Sequence, residues 1–296
     1  MVGQGLKMNA VRVVSRKALR SIPACLLSAA LVCSALAAPA AAKDRKRIVA
    51  EYNIGFNGFG IGDFTLWSDL EGDEYSLRAK ARISVLAGLL FEWRGDTASS
   101  GRVLAKRPRP YSYSFGYRTS NKRESIDIEF SNNNVKDIAV SPPQKRSSAR
   151  VPVTRKHMRN VIDPLSAIVM LTNVGSNKSG KEVCTRRLPI FDGKARYDLR
   201  LTYKKTRTVS TNSGYRGPAY VCKVKFKPIA GHKRGDDESK FAAKNERMEI
   251  WMIPLREADL YVPYYVYIPT PVGTASLTSK SFRVDTSGRS RGASLR

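Results

Sequence analysis

The chain has 296 residues, with 52 Lys and Arg against 25 Asp and Glu and a formal net charge of +27. Its two histidines and four cysteines are too few for a metal centre, and so large a positive excess draws a protein toward anionic surfaces. Because Lys and Arg are spread along every segment, a solvated basic face without a specific partner accounts for them equally well.

Residues 1–42 read as a cleavable signal peptide. Lys7, Arg12, Arg16, Lys17 and Arg20 form a basic start without an acidic residue. Ile22 to Ala38 is apolar, and Ala40-Ala41-Ala42 supplies the small-residue cleavage site before Lys43. The apolar stretch is short for a membrane span and is bracketed by Pro23 and Pro39. Val32 directly before Cys33 makes a poor lipobox. Cleavage removes five basic residues and no acidic one, leaving 254 residues at a net charge of +22. No second long apolar run follows, so the expectation is a periplasmic protein with no transmembrane span after cleavage. The polyanions there are lipid head groups, lipopolysaccharide and wall polymers. Nucleic acid, which needs a basic groove with aromatic stacking, is not an expected partner. Oligomeric state is not legible.

Beyond the signal, apolar and polar residues alternate with period two, the mark of strands with one buried and one wet face. Ile48, Ala50, Tyr52, Ile54 and Phe56 share a face, as do Tyr75, Leu77, Ala79, Ala81 and Ile83 opposite Ser76, Arg78, Lys80 and Arg82. Tyr111, Tyr113, Phe115 and Tyr117 form an aromatic set, and Ile126, Ile128 and Phe130 alternate with Asp127 and Glu129. Asn57-Gly58 and Asp192-Gly193 suit two-residue hairpins, and Gly72-Asp73 and Asn132 to Asn134 are further turns. Ser141 to Arg155, rich in Pro, Ser and Arg, has too little apolar content to offset ordering entropy. Asp163 as N-cap, Pro164 at the first helical position, Leu165 to Leu171 and a terminating Gly175 predict one helix. Strands are then expected over Val183 to Phe191, Ala195 to Tyr203, Tyr220 to Phe226, Met248 to Met252, Tyr265 to Ile268 and Thr274 to Ser281. Lys233 to Asn245 reads as a charged, briefly helical loop.

After cleavage Cys184 and Cys222 remain, an even pair in an oxidising compartment, and a disulfide is expected. A redox pair is the alternative, although no Cys-x-x-Cys is present. Catalytic, cofactor-binding and metal-binding residues are not expected. Gly55, Gly58, Gly60 and Gly62 sit in a hairpin, not between a strand and a helix as a phosphate loop requires. His157 and His232 read as solvated loop residues and Asp192 as a turn residue. Asp63 and Glu71 to Glu74 form no defined carboxylate pair. Trp67, Trp93 and Trp251 read as core, or as the lining of a concave apolar groove.

Several segments together resemble a known family. Phe191 to Leu199 (FDGKARYDL) looks like its central hairpin, and Asp163-Pro164-Leu165-Ser166-Ala167 matches its helix start. Pro108 to Tyr113, Cys222-Lys223-Val224 with Pro228 to Lys233, Glu249-Ile250-Trp251 with Pro254, Val262-Pro263 and Pro271-Val272-Gly273 are similar to its other motifs. His232 stands where an aromatic residue is usual. The family is the bacterial domain-of-unknown-function 3108 family, and the resemblance runs over about residues 46–282. It implies an exported β-rich envelope protein and gives no catalytic residue to carry over. Such sheets are similar, by fold analogy only, to the half-open barrels of the LolA and LolB lipoprotein carriers.

The expected architecture is mainly β: a large curved antiparallel sheet, half-open barrel or β-spiral, with one short capping helix. Residues 43–284 form a single β domain and 285–296 a disordered basic tail. The expected function is non-enzymatic and periplasmic, supporting the envelope by binding a lipid, a lipoprotein or an envelope partner, without a cofactor. The alternatives are a docking protein for anionic wall polymer or lipopolysaccharide, and an envelope hydrolase.

Overall fold

The computed structural model describes residues 45–85, 91–105, 107–144, 147–173, 175, 177–210, 215–286 and 289–291. The chain divides into two units, residues 1–42 and Lys43–Arg296. The first, with the expected signal peptide, lies outside the described residues, and the second is described below.

Seven strands come first: β1 (Arg45–Phe56), β2 (Phe59–Glu71), β3 (Glu74–Val85), β4 (Phe91–Leu104), β5 (Arg107–Arg118), β6 (Arg123–Ser131) and β7 (Asn134–Ser141). A connection carrying α1 (Pro164–Thr172) and α2 (Gly180–Cys184) leads to β8 (Arg186–Phe191), β9 (Arg196–Ser210) and β10 (Arg216–Ala230). Then come α3 (Asp237–Lys244), β11 (Glu249–Leu255), β12 (Leu260–Thr270), β13 (Gly273–Thr286) and β14 (Arg289–Arg291). Thirteen strands lie side by side in the order β7-β6-β5-β4-β3-β2-β1-β13-β12-β11-β10-β9-β8, with β14 beside β13. Every pairing is antiparallel. The result is a curved up-and-down meander in which β1 joins β13 and no ladder joins β7 to β8.

Period-two alternation builds these strands. In β3, Tyr75, Leu77 and Ala79 are buried while Ser76, Arg78 and Lys80 are exposed, and a one-residue slip would reverse every one of them. Asn57-Gly58 (φ 48° and 86°) and Asn132-Asn133 (φ 50° and 61°) make two-residue turns. Those turns need positive φ at both positions, which Asn and Gly tolerate.

Asp192-Gly193 departs from the expected two-residue hairpin: four residues separate β8 from β9. The Asp192 carboxylate accepts from the backbone N–H groups of Lys194 (2.9 Å) and Ala195 (2.7 Å) and so supports a wider turn. Val183 and Cys184 are helical instead of extended, because Ser179 and Glu182 form a capping box that starts α2. α2 is thus a helix that the sequence did not suggest, whereas α3, which Asp236 caps, lies in the charged Lys233 to Asn245 segment expected to be briefly helical. Ser141 to Arg155 is tied down more than its composition suggests. Val151 exchanges backbone hydrogen bonds with Gly231 and His232, and Arg234 N–H donates to Ala149. The expected tail is also corrected at its start: Asp285 and Thr286 belong to β13, and β14 pairs with Val284 to Thr286. In the aromatic set, a bulge in the β4–β5 pairing skips Tyr111, which is exposed while Tyr113 is buried.

Helix α1 runs inside the sheet and touches β4, β5, β8 and β12. A helix surrounded by apolar surface is itself apolar on most sides, and PLSAIVMLT is, with Ser166 and Thr172 as its polar residues. Its i, i+4 pairs divide the interior. Leu165 and Val169 join the larger core with Ile48, Tyr52, Leu77, Ile128 and Phe282. Ala167 and Leu171 join a second core with Leu188, Met252, Tyr261 and the two cysteines.

The gap between the sheet's two ends is crossed by the segment before α1. Val161 N–H donates to the Asn133 carbonyl (2.8 Å), Ile162 N–H to that of Pro189 (2.9 Å), and Phe191 N–H to that of Ile162 (2.9 Å). Lys194 pairs with Glu124 of β6. Gly193, at φ 96°, lies so close to Ile126 of β6 that a Cβ would meet its methyl at 2.3 Å, so no side chain fits at this turn.

Candidate functional site

The inner face does not pack solid. Beside α1 a cavity of about 340 Å³ is walled by Ile48, Ala50 and Tyr52 of β1, Leu66, Ser68 and Leu70 of β2, Leu77 of β3 and Val103 of β4. Ile168, Val169 and Thr172 of α1 and Leu260, Val262 and Pro263 of β12 complete it. This volume is at the small end of ligand pockets, and a mostly apolar wall with a few polar groups is their usual character. The polar groups lie at one end, where Lys46, Asp73, Glu74, Asn173 and Asp259 surround the opening. Lys46 Nζ donates to the Ala258 carbonyl at 3.3 Å. Val103 N–H donates to the Asp73 carbonyl, which ties the β2–β3 turn to β4 at this rim.

The helix wall is held in place by a buried polar knot. Asp163 is fully buried, and one carboxylate oxygen accepts from the N–H groups of Leu165 and Ser166, each at 2.9 Å. The other accepts from Ser166 Oγ and, at 3.1 Å, from Ser99 Oγ of β4. The Ser166 hydroxyl also meets the Tyr75 hydroxyl of β3 at 2.6 Å. Burial pushes the Asp163 carboxyl up from the usual carboxylate range, against the hydrogen bonds from Ser166 and Ser99 that draw it down. Burial likewise raises the Tyr75 hydroxyl. Each of these groups is engaged in fixing the first turn of α1 to the sheet.

The other residues singled out in the sequence do not converge. Asp192 serves its turn, and burial raises its carboxyl. His157 Nδ1 accepts from Thr154 N–H at 3.1 Å in a one-turn helix cap. Asp63 pairs with Lys280 at 3.2 Å on the outer surface, while Glu71 and Glu74 flank the Gly72-Asp73 turn. Trp67, Trp93 and Trp251 are half-buried; Trp251 packs against the edge of the larger core, and none of the three lines the cavity. Trp251 lies edge-on to Tyr265, with the Arg207 guanidinium 5.6 Å from its ring. Among the described residues, no group of three or more His, Cys, Asp or Glu is placed to hold a metal. No helix among them is long and apolar enough to cross a membrane, a statement that does not extend to strands.

Cys184 at the end of α2 and Cys222 of β10 are joined as a disulfide, with Cα atoms 5.2 Å apart and both residues fully buried. The bond closes a separation of 38 residues and fastens α2 to β10.

Sequence reasoning found the β1, β3 and helix walls of the cavity and named Val262-Pro263 as a family motif, but missed Leu66, Leu70, Val103 and Leu260. The signal for β2 was present, since Phe64, Leu66, Ser68 and Leu70 alternate with Thr65, Trp67 and Asp69. Ser68 interrupts its apolar face.

A family model described as a protein of unknown function, DUF3108, matches residues 51–280. Among solved structures, the chain is similar to a beta-barrel-like protein of domain of unknown function DUF1849 from Brucella abortus. That similarity is at 8% identity with a TM-score of 0.46, covering 82% of this chain and 98% of that one. No curated protein is similar to the chain in sequence.

Proposed function

The chain belongs to the DUF3108 family of proteins of unknown function, and we propose that it is a non-enzymatic periplasmic protein that holds one hydrocarbon chain of a lipid or lipoprotein beside α1. The observation that carries this reading is the cavity of about 340 Å³, with aliphatic walls and its polar residues gathered at one opening. A hydrocarbon chain entering it leaves water at ~0.8 kcal/mol for each methylene buried. The rim, with Lys46, Asp73, Glu74 and Asp259, offers both signs of charge to a polar head. The disulfide and the basic, alanine-terminated leader sequence support export. The reading is non-enzymatic because the buried polar groups beside the cavity, Asp163, Ser166, Ser99 and Tyr75, hydrogen-bond to one another and to the cap of α1.

The test is native mass spectrometry of protein recovered from periplasmic extract, without residues 1–42, followed by lipid extraction. A single amphiphile per chain is expected. Ala50→Phe, which places a ring in the cavity, should lose it while remaining folded by circular dichroism. Val262→Phe should do the same from β12. Protein that is absent from the periplasm would sink the export reading. Protein that retains no amphiphile and takes up no fluorescent fatty acid would sink the cavity reading.

A further inference from the structure

The hairpin tips at the barrel end away from the cavity opening combine two features that rarely occur together on a solvated surface. The first is a row of arginines in cross-strand register. Arg82 of β3 lies opposite Arg94 of β4, Arg94 opposite Arg118 of β5, and Arg118 opposite Arg123 of β6. Neighbouring strands are ~4.8 Å apart, and like charges directly opposite destabilise a sheet. Four in succession therefore form a line of positive charge some ~14 Å long. One carboxylate offsets part of it: Glu92 pairs with Arg82 (3.1 Å) and Arg94 (2.7 Å). Arg118 and Arg123 are exposed and make no ion pair with a described residue. The other acids nearby are Asp63, paired with Lys280, Glu124, paired with Lys122 and Lys194, and Asp96, which lies opposite Lys80. Between the arginines and Asp96, Gly116 contributes no side chain, and the outer surface is hollowed by about 640 Å³.

The second feature is exposed apolar surface beyond that row. Val272, at the β12–β13 turn, is 80% exposed and Phe59, just after the β1–β2 turn, is 76% exposed. The two turns are tied together, because Asn57 N–H donates to the Thr274 carbonyl and Thr274 N–H to the Asn57 side chain. Phe91, where β4 begins, is 45% exposed, and it lies three residues, or about 10 Å of strand, beyond Arg94. Scattered single apolar residues need no explanation, but several at one end rimmed by cations mark an interaction surface.

We propose that this end of the barrel docks on the surface of an anionic phospholipid bilayer. Phe59, Val272 and Phe91 enter the interface, and the Arg82–Arg94–Arg118–Arg123 row lies at the level of the phosphates. The spacing fits. Apolar groups of interfacial proteins reach ~5–10 Å into the boundary between head groups and acyl chains, which leaves guanidinium groups about 10 Å behind them among the head groups. Basic residues at such a surface contribute about 1 kcal/mol each. The proposal does not depend on the cavity being occupied, and its test involves no cavity residue.

The experiment is co-sedimentation of protein beginning at Lys43 with vesicles of phosphatidylglycerol and phosphatidylethanolamine, beside vesicles of phosphatidylcholine alone. The expected result is binding to the anionic vesicles and not to the neutral ones. Arg118→Gln with Arg123→Gln should weaken it roughly thirtyfold, at ~1 kcal/mol for each charge removed. Phe59→Ser with Val272→Ser should weaken it too, and should leave binding to soluble polyphosphate unchanged. Equal binding to neutral vesicles, or wild-type binding by the arginine variant, would overturn the proposal. So would tight polyphosphate binding without vesicle binding, which would make the row a site for a soluble polyanion.

Discussion

The two ends of the barrel are made from the same hairpins and present opposite chemistry. At one end the turns at Gly72-Asp73 and Ala258-Asp259 put polar groups around an apolar hollow. At the other, the turns near Asn57-Gly58 and Pro271-Val272 put apolar side chains outside and arginines on the outer wall. Strand β3 serves both, with Leu77 facing the cavity and Arg82 in the basic row. The lesson is that in a two-faced strand, side-chain parity chooses the face and position along the strand chooses the end. One hairpin can therefore supply two unrelated surfaces. The inner hollow depends on α1 staying in place, whereas the outer row depends only on strand register.

The largest expected effect tests whether either end depends on the second core. Replacing Cys184 and Cys222 by Ala should lower unfolding stability by about 4 kcal/mol, the chain-entropy value for a loop of this length, read from urea denaturation. Both lipid retention and vesicle docking should survive below the melting transition. Loss of either one alone would show that the disulfide supports that end specifically.

Next comes Asp163→Ala, which removes the cap of α1 and takes from the buried Ser99 and Ser166 hydroxyls their carboxylate acceptor, leaving them only each other and Tyr75. A cost of about 2–3 kcal/mol is expected from the lost cap and the lost charge-assisted hydrogen bonds together. The cavity should lose its amphiphile while vesicle docking persists, and equal loss of both would erase the distinction between the ends.

The smallest effect is a pH dependence. Burial raises the folded-state Asp163 carboxyl above its unfolded value, so the folded chain keeps this proton to higher pH. In the window between the unfolded and folded values, stability from this group falls as pH rises and returns on acidification. Chemical denaturation of wild type and Asp163→Asn across that window should show wild type gaining relative to the variant as pH falls. Asp192, raised in the same direction, is present in both and cancels. A constant difference would mean that the hydrogen bonds from Ser166 and Ser99 balance burial, and wild type losing ground to the variant as pH falls would mean that they outweigh it.

Much of this frame was legible in local residue order. Tyr75, Leu77 and Ala79 declare a two-faced strand, Asn57-Gly58 its turn, and Asp163-Pro164 the start of α1. What escaped depends on contacts or on side chains acting on backbone. The Asp192 carboxylate captures two N–H groups and widens a turn whose dipeptide suggested a tighter one. Tyr111 leaves its aromatic set through a bulge that only the pairing with β4 reveals. The cavity draws on Leu66, Val103, Val169 and Leu260, and they meet only because β13 pairs with β1 and brings the last strands back beside the first.

The break between β7 and β8 gives the barrel the mechanics of a split ring. A closed ring changes its bore only by stretching its whole circumference, which in a sheet means giving up a complete ladder. A split ring changes its bore by working at the slit. Here the slit is crossed by the segment that enters α1, through hydrogen bonds donated by the backbone N–H groups of Val161, Ile162 and Phe191 and the pairing of Lys194 with Glu124. Compliance is therefore concentrated at the root of the helix that forms the cavity wall, and the long ladders on either side of β1 can keep their register while the bore changes.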